Sequence, residues 1–402
     1  MPHAATGMKV LHLVKTSVGA TWALRQVREL VKLGVDVSVA LPGGGPLIPQ
    51  YRSAGATVFE RDLDFPMRRP QRFASVRRAV RELVDEVRPD LIHCHHVGTA
   101  LSARLALGKS HPIPRLFQVP GPLHLEHPLF RGAELATAGP RDYWMGSCRW
   151  TCDRYRKSGI PADRIFLSYY GVDVESFVPR EPGKLRRELG FDSATRIVGM
   201  VAFIYAPKRY LGQTRGLKGH EDLFDAMAIC LKDDPALRCV VVGGAWNGAV
   251  GYERRVKDYA RAACGDRVVF LGTRQDIPDL YPDFDVVCCP SHSENVGGAA
   301  ESLMLAVPTI ASDVGGFPDL VRPGETGWLV PPRDPPRLAE AIRLALSDGD
   351  AARRMARRGQ ELARVLFDVR RCAKEVFAAY EQILSREQAR TLQAAPVASS
   401  FN

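Results

Sequence analysis

The chain's 402 residues are enough for two cores of about 200 residues each, and a composition 46% hydrophobic and 25% charged excludes a disordered or fibrous protein. No apolar run approaches the roughly 20 residues that span a bilayer; MPHAATGMKV lacks the apolar core of a signal peptide, and nine irregularly spaced cysteines form no disulfide framework, so the cytoplasm is the expected compartment. The net charge of +10 sits almost wholly in residues 1–180, with 25 Lys and Arg against 16 Asp and Glu, the remainder holding 30 against 29; without a basic stripe interleaved with aromatics, nucleic acid is not an expected partner.

In the first half the short apolar runs KVLHLVK, DVSVALP, ATVFERD, DLIHCHH, PRLFQVP and DYWMGSC predict buried strands. Amphipathic segments separate them. In TWALRQVRELVKLG, Leu24, Val27, Leu30 and Val31 form one helical stripe and Gly34 a stop. In RRPQRFASVRRAVRELVDEVR, Phe73, Val76, Val80, Leu83, Val84 and Val87 fall at helical spacing while Arg69, Arg72, Arg77, Arg78 and Arg81 crowd the N-terminal part. Those arginines fit either an ordinary solvated face or a surface for anionic lipid headgroups or an anionic substrate. Strands alternating with helices imply right-handed crossovers and a parallel α/β sheet.

The pattern restarts after the polar segment VPREPGKLRRELGFDSAT, residues 178–195, with RIVGMVAF, LRCVVVGG, RVVFLG, DVVCCP, PTIASD and GWLVPP as strands. This predicts domains over 1–180 and 181–366, a returning helix over 367–387 and a flexible tail over 388–402. Two doubly wound domains would leave a cleft between the carboxyl ends of their sheets, where such sheets bind ligands.

SENVGGAAES, Ser293 to Ser302, sets two glutamates around a glycine pair between DVVCCP and a helix expected from near Gly298, with Glu301 in its first turn. A glycine-rich strand-to-helix turn lets backbone approach a ligand and aims helix N–H groups at it, which suits a diphosphate. Carboxylates there can accept hydrogen bonds from vicinal hydroxyls. They also stabilise a helix dipole, so these ten residues leave a ligand clamp, an acid and base pair, and plain helix stabilisation all open. GGAWNG, residues 243–248, does not fit the dinucleotide fingerprint.

The longer run LGTRQDIPDLYPDFDVVCCPSHSENVGGAAESLMLAVPTIASDVGGFPDLVRPGETGWLVPPRD resembles the nucleotide-sugar site of the GT-B glycosyltransferases of family 4, group 1. The matches are Pro290 and Ser291, the glutamate pair, Pro308, Ala311 and Ser312, Val314 to Gly316, and Gly324 to Pro332. The first half is traceable in KVLHLV, DLIHCHH and RIFLSYYGVDVESFVP. The resemblance implies two Rossmann-like doubly wound domains facing across a cleft, C-terminal helices crossing back, and a retaining transferase that moves a hexosyl unit from a nucleotide diphosphate sugar to an acceptor hydroxyl.

It also implies roles for particular residues. Glu301 would bind the ribose hydroxyls and Glu294 those of the donor sugar, while the backbone of Asn295, Val296, Gly297 and Gly298 meets sugar and diphosphate. Six residues separate the glutamates where the family pattern has seven, which tightens the glycine turn. Lys218, in GLKGHEDLFDAM, matches a lysine that neutralises the leaving diphosphate; Phe203 occupies the usual arginine position, and Arg215 or Arg209, from the insertion IYAPKRYLGQTRG, is the candidate replacement. Thr273 and Arg274 would receive the base. Gly19 matches a glycine loop on the acceptor side, where Pro120 and Gly121 replace a family histidine and His124, Glu126 and His127 are the nearest polar groups. His124 is the catalytic candidate among them. His93, His95 and His96 lie at a strand end expected to face the cleft, without a carboxylate or cysteine at metal-ligand spacing. No metal or other cofactor is expected, and the DFD at Asp283 to Asp285 reads as structural. Expected partners are a UDP-sugar ahead of a GDP-sugar, a glycan or lipid-linked sugar acceptor, and an anionic membrane surface met by the N-terminal domain. A non-hydrolysing sugar-nucleotide epimerase and a catalytically silent sugar-nucleotide or lipid-binding protein are the alternatives.

Overall fold

The computed structural model describes residues 7–394, apart from 122, 179, 210 and 211. The chain forms two compact units: one comprises the chain up to Asp173 and again from Phe367, the other Val174–Leu366. The sequence puts the boundary near residue 180, but the structure puts it earlier. Val172 ends the first unit by pairing with the returning chain, its N–H donating to Phe367 O at 2.8 Å and its carbonyl accepting from Val369 N at 3.0 Å.

In the first unit β1 (Lys9–Leu13), β2 (Asp36–Leu41), β3 (Thr57–Glu60), β4 (Leu91–Cys94), β5 (Arg115–Gln118), β6 (Asp142–Gly146) and β7 (Ile165–Leu167) form one sheet in the order β3-β2-β1-β4-β5-β6-β7. Every neighbouring pair is parallel. In the second, β8 (Ile197–Val201), β9 (Arg238–Val242), β10 (Val268–Gly272), β11 (Val286–Cys289), β12 (Thr309–Ser312) and β13 (Trp328–Val330) form a parallel sheet ordered β10-β9-β8-β11-β12-β13. β4, β5, β6, β11 and β12 are buried at every residue because helices cover both faces, which is why their sequences are apolar runs without alternation. The edge strand β7 was not predicted: its apolar run is only three residues, Ile165–Leu167, with Leu167 exposed, too short to stand out as a strand. No described helix is long and apolar enough to cross a membrane.

The last helix, Val369–Ala394, corrects the expected tail, since it continues past residue 388. Glu387 explains why: it accepts from Arg141 Nε at 2.8 Å and from the Tyr143 hydroxyl at 2.6 Å, tying that turn to the sheet. Earlier in the helix Val376, Ala379, Tyr380 and Ile383 enter the core beneath β1 and the helix Thr21–Lys32. Residues 395–402 lie outside the described part. The DFD is structural, as read: Asp283 caps the chain at Gly183 and Leu185, and Asp285 accepts from Ile197 N at 2.7 Å.

Two polar networks cross the first core. Arg104 pairs with Glu134 at 2.5 Å and Asp142 at 3.0 Å, and Arg115 with Asp142 at 2.8 Å, all fully enclosed. The second corrects the reading of the histidines: His93 and His95 face no cleft but are completely buried with His12. Hydrogen-bond partners settle their tautomers. Tyr170 O–H donates to the Gln118 carbonyl (3.2 Å), so His95 Nδ1–H donates to Tyr170 (3.2 Å) and His12 Nδ1–H to His95 Nε2 (2.8 Å). Tyr380 O–H then donates to His12 Nε2 (3.3 Å), and His93 Nδ1–H to the Tyr380 oxygen (2.5 Å). The chain of bonds works only with neutral rings. Burial lowers His12 to about 3 and holds His93 and His95 well below their ordinary value.

A histidine depressed in the folded state costs stability progressively where the unfolded chain is protonated and the native one is not, and the full loss persists below that range. The first unit is therefore expected to lose stability as pH falls from about 6.5 toward 3, by about 1.4 kcal/mol per pH unit per histidine. Urea melts at pH 7.5 and 5.5 measure this; a pH-independent midpoint for that unit contradicts it.

Candidate functional site

In the second sheet the chain runs from β8 outward through β9 and β10, then returns to β11 on the other side of β8 and continues through β12 and β13. The crevice at the carboxyl ends of β8 and β11 is thus a topological switch point, where neighbouring connections diverge and leave room for a ligand. A pocket of about 270 Å³ occupies it. Val201, Ala202, Phe203 and Tyr205 line it after β8, Val242 and Gly243 at the end of β9, Thr273, Arg274 and Ile277 after β10, and Lys218, Gly297, Gly298 and Glu301 complete the wall.

The helix opening at the pocket spans Gly297–Met304 and has no acidic residue in its first turn. Glu301 therefore sits one step deeper than the sequence implies. It is not a helix-dipole partner; its place is on the pocket wall. Val296 caps the helix with its side chain in the core, so its backbone alone is available to a ligand. The turn before it is packed tightly: Gly316 N donates to the Asn295 carbonyl at 2.8 Å, and a Cβ on Gly315, at φ +54°, would collide with the Glu294 carbonyl. Gly298 leaves room between the helix start and Cys289.

Glu294 holds the centre of this arrangement. Its Oε2 accepts from Lys218 Nζ and from Ser291 Oγ (3.3 Å), and its Oε1 accepts from Asn295 N at 3.0 Å. Burial by itself would lower the Lys218 pKa, but the adjacent Glu294 carboxylate outweighs it and leaves the pKa raised, so the ammonium stays charged. His220, next in the chain but one, is neutral: burial first and Lys218 second lower it to about 3.

The structure does not bring Arg215 to the pocket wall. Its guanidinium pairs with Asp222 at 2.5 Å and Asp225 at 2.7 Å and meets the Tyr259 hydroxyl at 3.1 Å. Arg209 is exposed and also off that wall. Arg274 does line the pocket, gripping Asp276 (2.7 Å) and Glu188 (2.6 Å). In place of the expected arginine, Phe203 turns toward the pocket.

Several contributors were missed. Asp222 also binds His292, whose N–H donates to the Leu217 carbonyl at 2.8 Å, and Tyr252 joins Glu221 to Gly216 N. These bonds hold the Lys218 loop from both sides. The signal was the acidic pair of HEDLF at the helix start, read only as part of the lysine motif. Tyr205 lay inside the insertion and carried no pattern of its own.

In the first unit Gly19 stands exposed after β1 at φ +78°, a conformation glycine allows cheaply. His124 turns inward: its Nε2 meets the Tyr155 hydroxyl at 3.3 Å, its ring lies 5.6 Å from Phe117, and burial lowers its pKa. Glu126 is exposed, and His127 packs against Phe130. The three follow one another on a short helical segment, Leu123–Glu126, and the turn after it.

Similarity to known proteins follows the two units. The family pattern described as Glycosyltransferase Family 4 matches residues 19–176, and that described as Glycosyl transferases group 1 matches residues 209–362. A lipopolysaccharide core biosynthesis mannosyltransferase of Rhizobium meliloti is 27% identical over 220 residues, 54% of this chain and 60% of that protein. A D-inositol 3-phosphate glycosyltransferase of Nocardia farcinica is 32% identical over 206 residues, 50% of this chain and 44% of the other. The match thus spans about half the length of these curated relatives. Among solved structures, the Anabaena protein HepE in complex with UDP has the same fold, with a TM-score of 0.74 at 22% identity over 96% of this chain and 100% of that one.

Lys218 and Glu294 are 19% and 12% exposed, so removing one leaves the other nearly dry and unpaired. Glu294→Gln is expected to destabilise the second unit by about 2 kcal/mol, less than a fully enclosed pair would lose. Combining it with Lys218→Met should recover most of that loss in denaturant melts; equal losses in single and double variants contradict the pairing.

Proposed function

The chain belongs to the GT-B glycosyltransferases of group 1, and on that premise we propose that it transfers a hexosyl unit, with retention, from a nucleotide diphosphate sugar to a hydroxyl of a glycan or lipid-linked sugar. A UDP-sugar is the favoured donor, ahead of a GDP-sugar. The observation that carries this reading is the pocket at the β8/β11 switch point, where Lys218, Glu301 and the start of the helix Gly297–Met304 share one wall.

Each group has a task in that pocket. Thr273 and Arg274 would bound the base, Glu301 would accept from the ribose hydroxyls, and the diphosphate would lie between Lys218 and the N–H groups at Gly297 and Gly298. A phosphate arriving at Lys218 competes with Glu294 for the ammonium. Glu294 is then released to accept hydrogen bonds from the sugar. As the bond from the anomeric carbon to the diphosphate breaks, its electron pair stays on the phosphate oxygen, where Lys218 stabilises it. The acceptor oxygen bonds the anomeric carbon from the same face, and its proton passes to a phosphate oxygen of the leaving group. Lys218 and the helix N-terminus meet the charge of the leaving group, so no metal ion is assigned a role. With Arg215 held by two aspartates, it serves to position the Lys218 loop. Nine buried free thiols fit a reducing cytoplasm.

Thermal shift against UDP, GDP, ADP and their hexoses identifies the donor, since a ligand of the native state raises its stability. Isotope-labelled donor then separates transfer from interconversion of donors. Lys218→Ala is expected to lower turnover by about 10²-fold or more with a smaller change in donor affinity. Glu301→Ala is expected to weaken nucleotide-sugar binding by about tenfold. Wild-type kinetics in both variants contradict the site.

We also propose that the arginine-rich helix Phe73–Val87 and the turn before it meet an anionic membrane surface. Charge reversal at Arg72, Arg77 and Arg78 is expected to reduce co-sedimentation with anionic vesicles; unchanged binding leaves that face a solvated one.

A further inference from the structure

Phe203 and Trp246 are each 38% exposed, an unusual state for large aromatic rings beside a pocket. Their ring centroids lie 5.0 Å apart, and Tyr205 joins them with its centroid 5.6 Å from that of Trp246. The three rings form a shelf beyond the carboxyl ends of β8 and β9.

The backbone holds this shelf rigidly. Beyond β8 the chain stays extended, so that Ile204 points into the core at 0% exposure while Phe203 and Tyr205, one residue to either side, point to the pocket. Ile204 N donates to the Gly244 carbonyl at 2.9 Å and Trp246 N to the Ile204 carbonyl at 3.0 Å, a short bridge that fixes Trp246 opposite the other two. Asn247 at φ +49° and Gly248 at φ +74° then turn the chain back, and Glu253 accepts from Ala245 N at 3.1 Å. Left-handed residues and main-chain bonds are thus used to keep an indole at the surface, where it forgoes full burial.

Resting on the transferase reading above, we propose that this shelf binds a pyranose ring by stacking, and so selects the sugar handled at the pocket. The shelf begins where the charged pair ends: Lys218 Nζ lies 5.8 Å from the Tyr205 ring centroid, and Lys218 bonds Glu294. A pyranose carries an apolar C–H face and a rim of hydroxyls, and flat aromatic rings bordered by an ammonium and a carboxylate match both features. On the same reading a nucleobase would sit on the opposite side of β9, where Thr273 and Arg274 line the pocket. The pyranose can be the donor's hexose or the acceptor's, and the two are separable.

Trp246→Ala removes an exposed ring that does not line the nucleotide pocket, and Trp246→Phe keeps a stacking face. UDP binding is expected to stay within twofold of wild type in both. If the donor's hexose stacks, the alanine variant loses about tenfold in affinity for the nucleotide sugar relative to the bare nucleotide. If the acceptor's does, it raises the acceptor KM about tenfold at unchanged donor affinity. Trp246→Phe is expected to recover most of either loss. An alanine variant within twofold of wild type on both measures overturns the shelf while leaving the transferase reading intact. A wild-type protein without transfer overturns the reading instead. The shelf is then judged by tryptophan emission: a methyl hexoside panel that shifts it in wild type but not in Trp246→Phe supports the proposal, and no shift overturns it.

Discussion

A carboxylate and an ammonium drawn out of water must neutralise each other or be neutralised by something that arrives. The Lys218–Glu294 pair is in that position, and the rest of the pocket is arranged around it. One partner comes from the turn after β11, the other from the loop before the helix His220–Cys230, so the pair closes the crevice between them. Glycines make the approach possible. Gly219, at φ +73°, passes against the Pro290 carbonyl, and Gly315 passes against that of Glu294; a side chain at either would push the two loops apart.

The loop that carries Lys218 is held by groups that never reach the pocket. Arg215, Asp222 and His292 form one line of contacts, and Tyr252 with Glu221 a second. These polar residues act on the position of the loop, while Lys218, Glu301 and the helix start line the pocket itself. The aromatic rings beside them take the place where a second cation was expected. That exchange trades charge for a flat apolar surface.

The first unit relies on a comparable economy in its core. Neutral histidines from β1 and β4 are linked through Tyr380 and Tyr170, so the returning helix Val369–Ala394 is bonded into the sheet as well as packed on it. Such a network is stable only while every ring keeps its one proton. The enclosed Arg104, Arg115, Glu134 and Asp142 cluster is the charged counterpart, with each carboxylate shared among several donors.

What the sequence determined by itself is what depends on neighbours along the chain. The inner strands were legible because a parallel strand covered on both faces must be a short apolar run, the edge strands β3 and β10 by their apolar residues although none of them is fully buried, and the helices because their buried stripes repeat with the turn. The glutamates and Lys218 could be placed because the motifs that resemble the family's are read along the chain. What tertiary structure decided is charge pairing and burial between residues far apart. Arg215 read as a phosphate ligand until Asp222 and Asp225 were found across a helical turn; His93 and His95 read as a cleft edge until His12 and Tyr380, distant in sequence, enclosed them. The extent of the last helix depended on Glu387 finding Arg141 and Tyr143. Periodicity is a local property and survives in one dimension, whereas the energy of an ion pair or a buried imidazole is set by whatever the fold brings within a few ångströms of it.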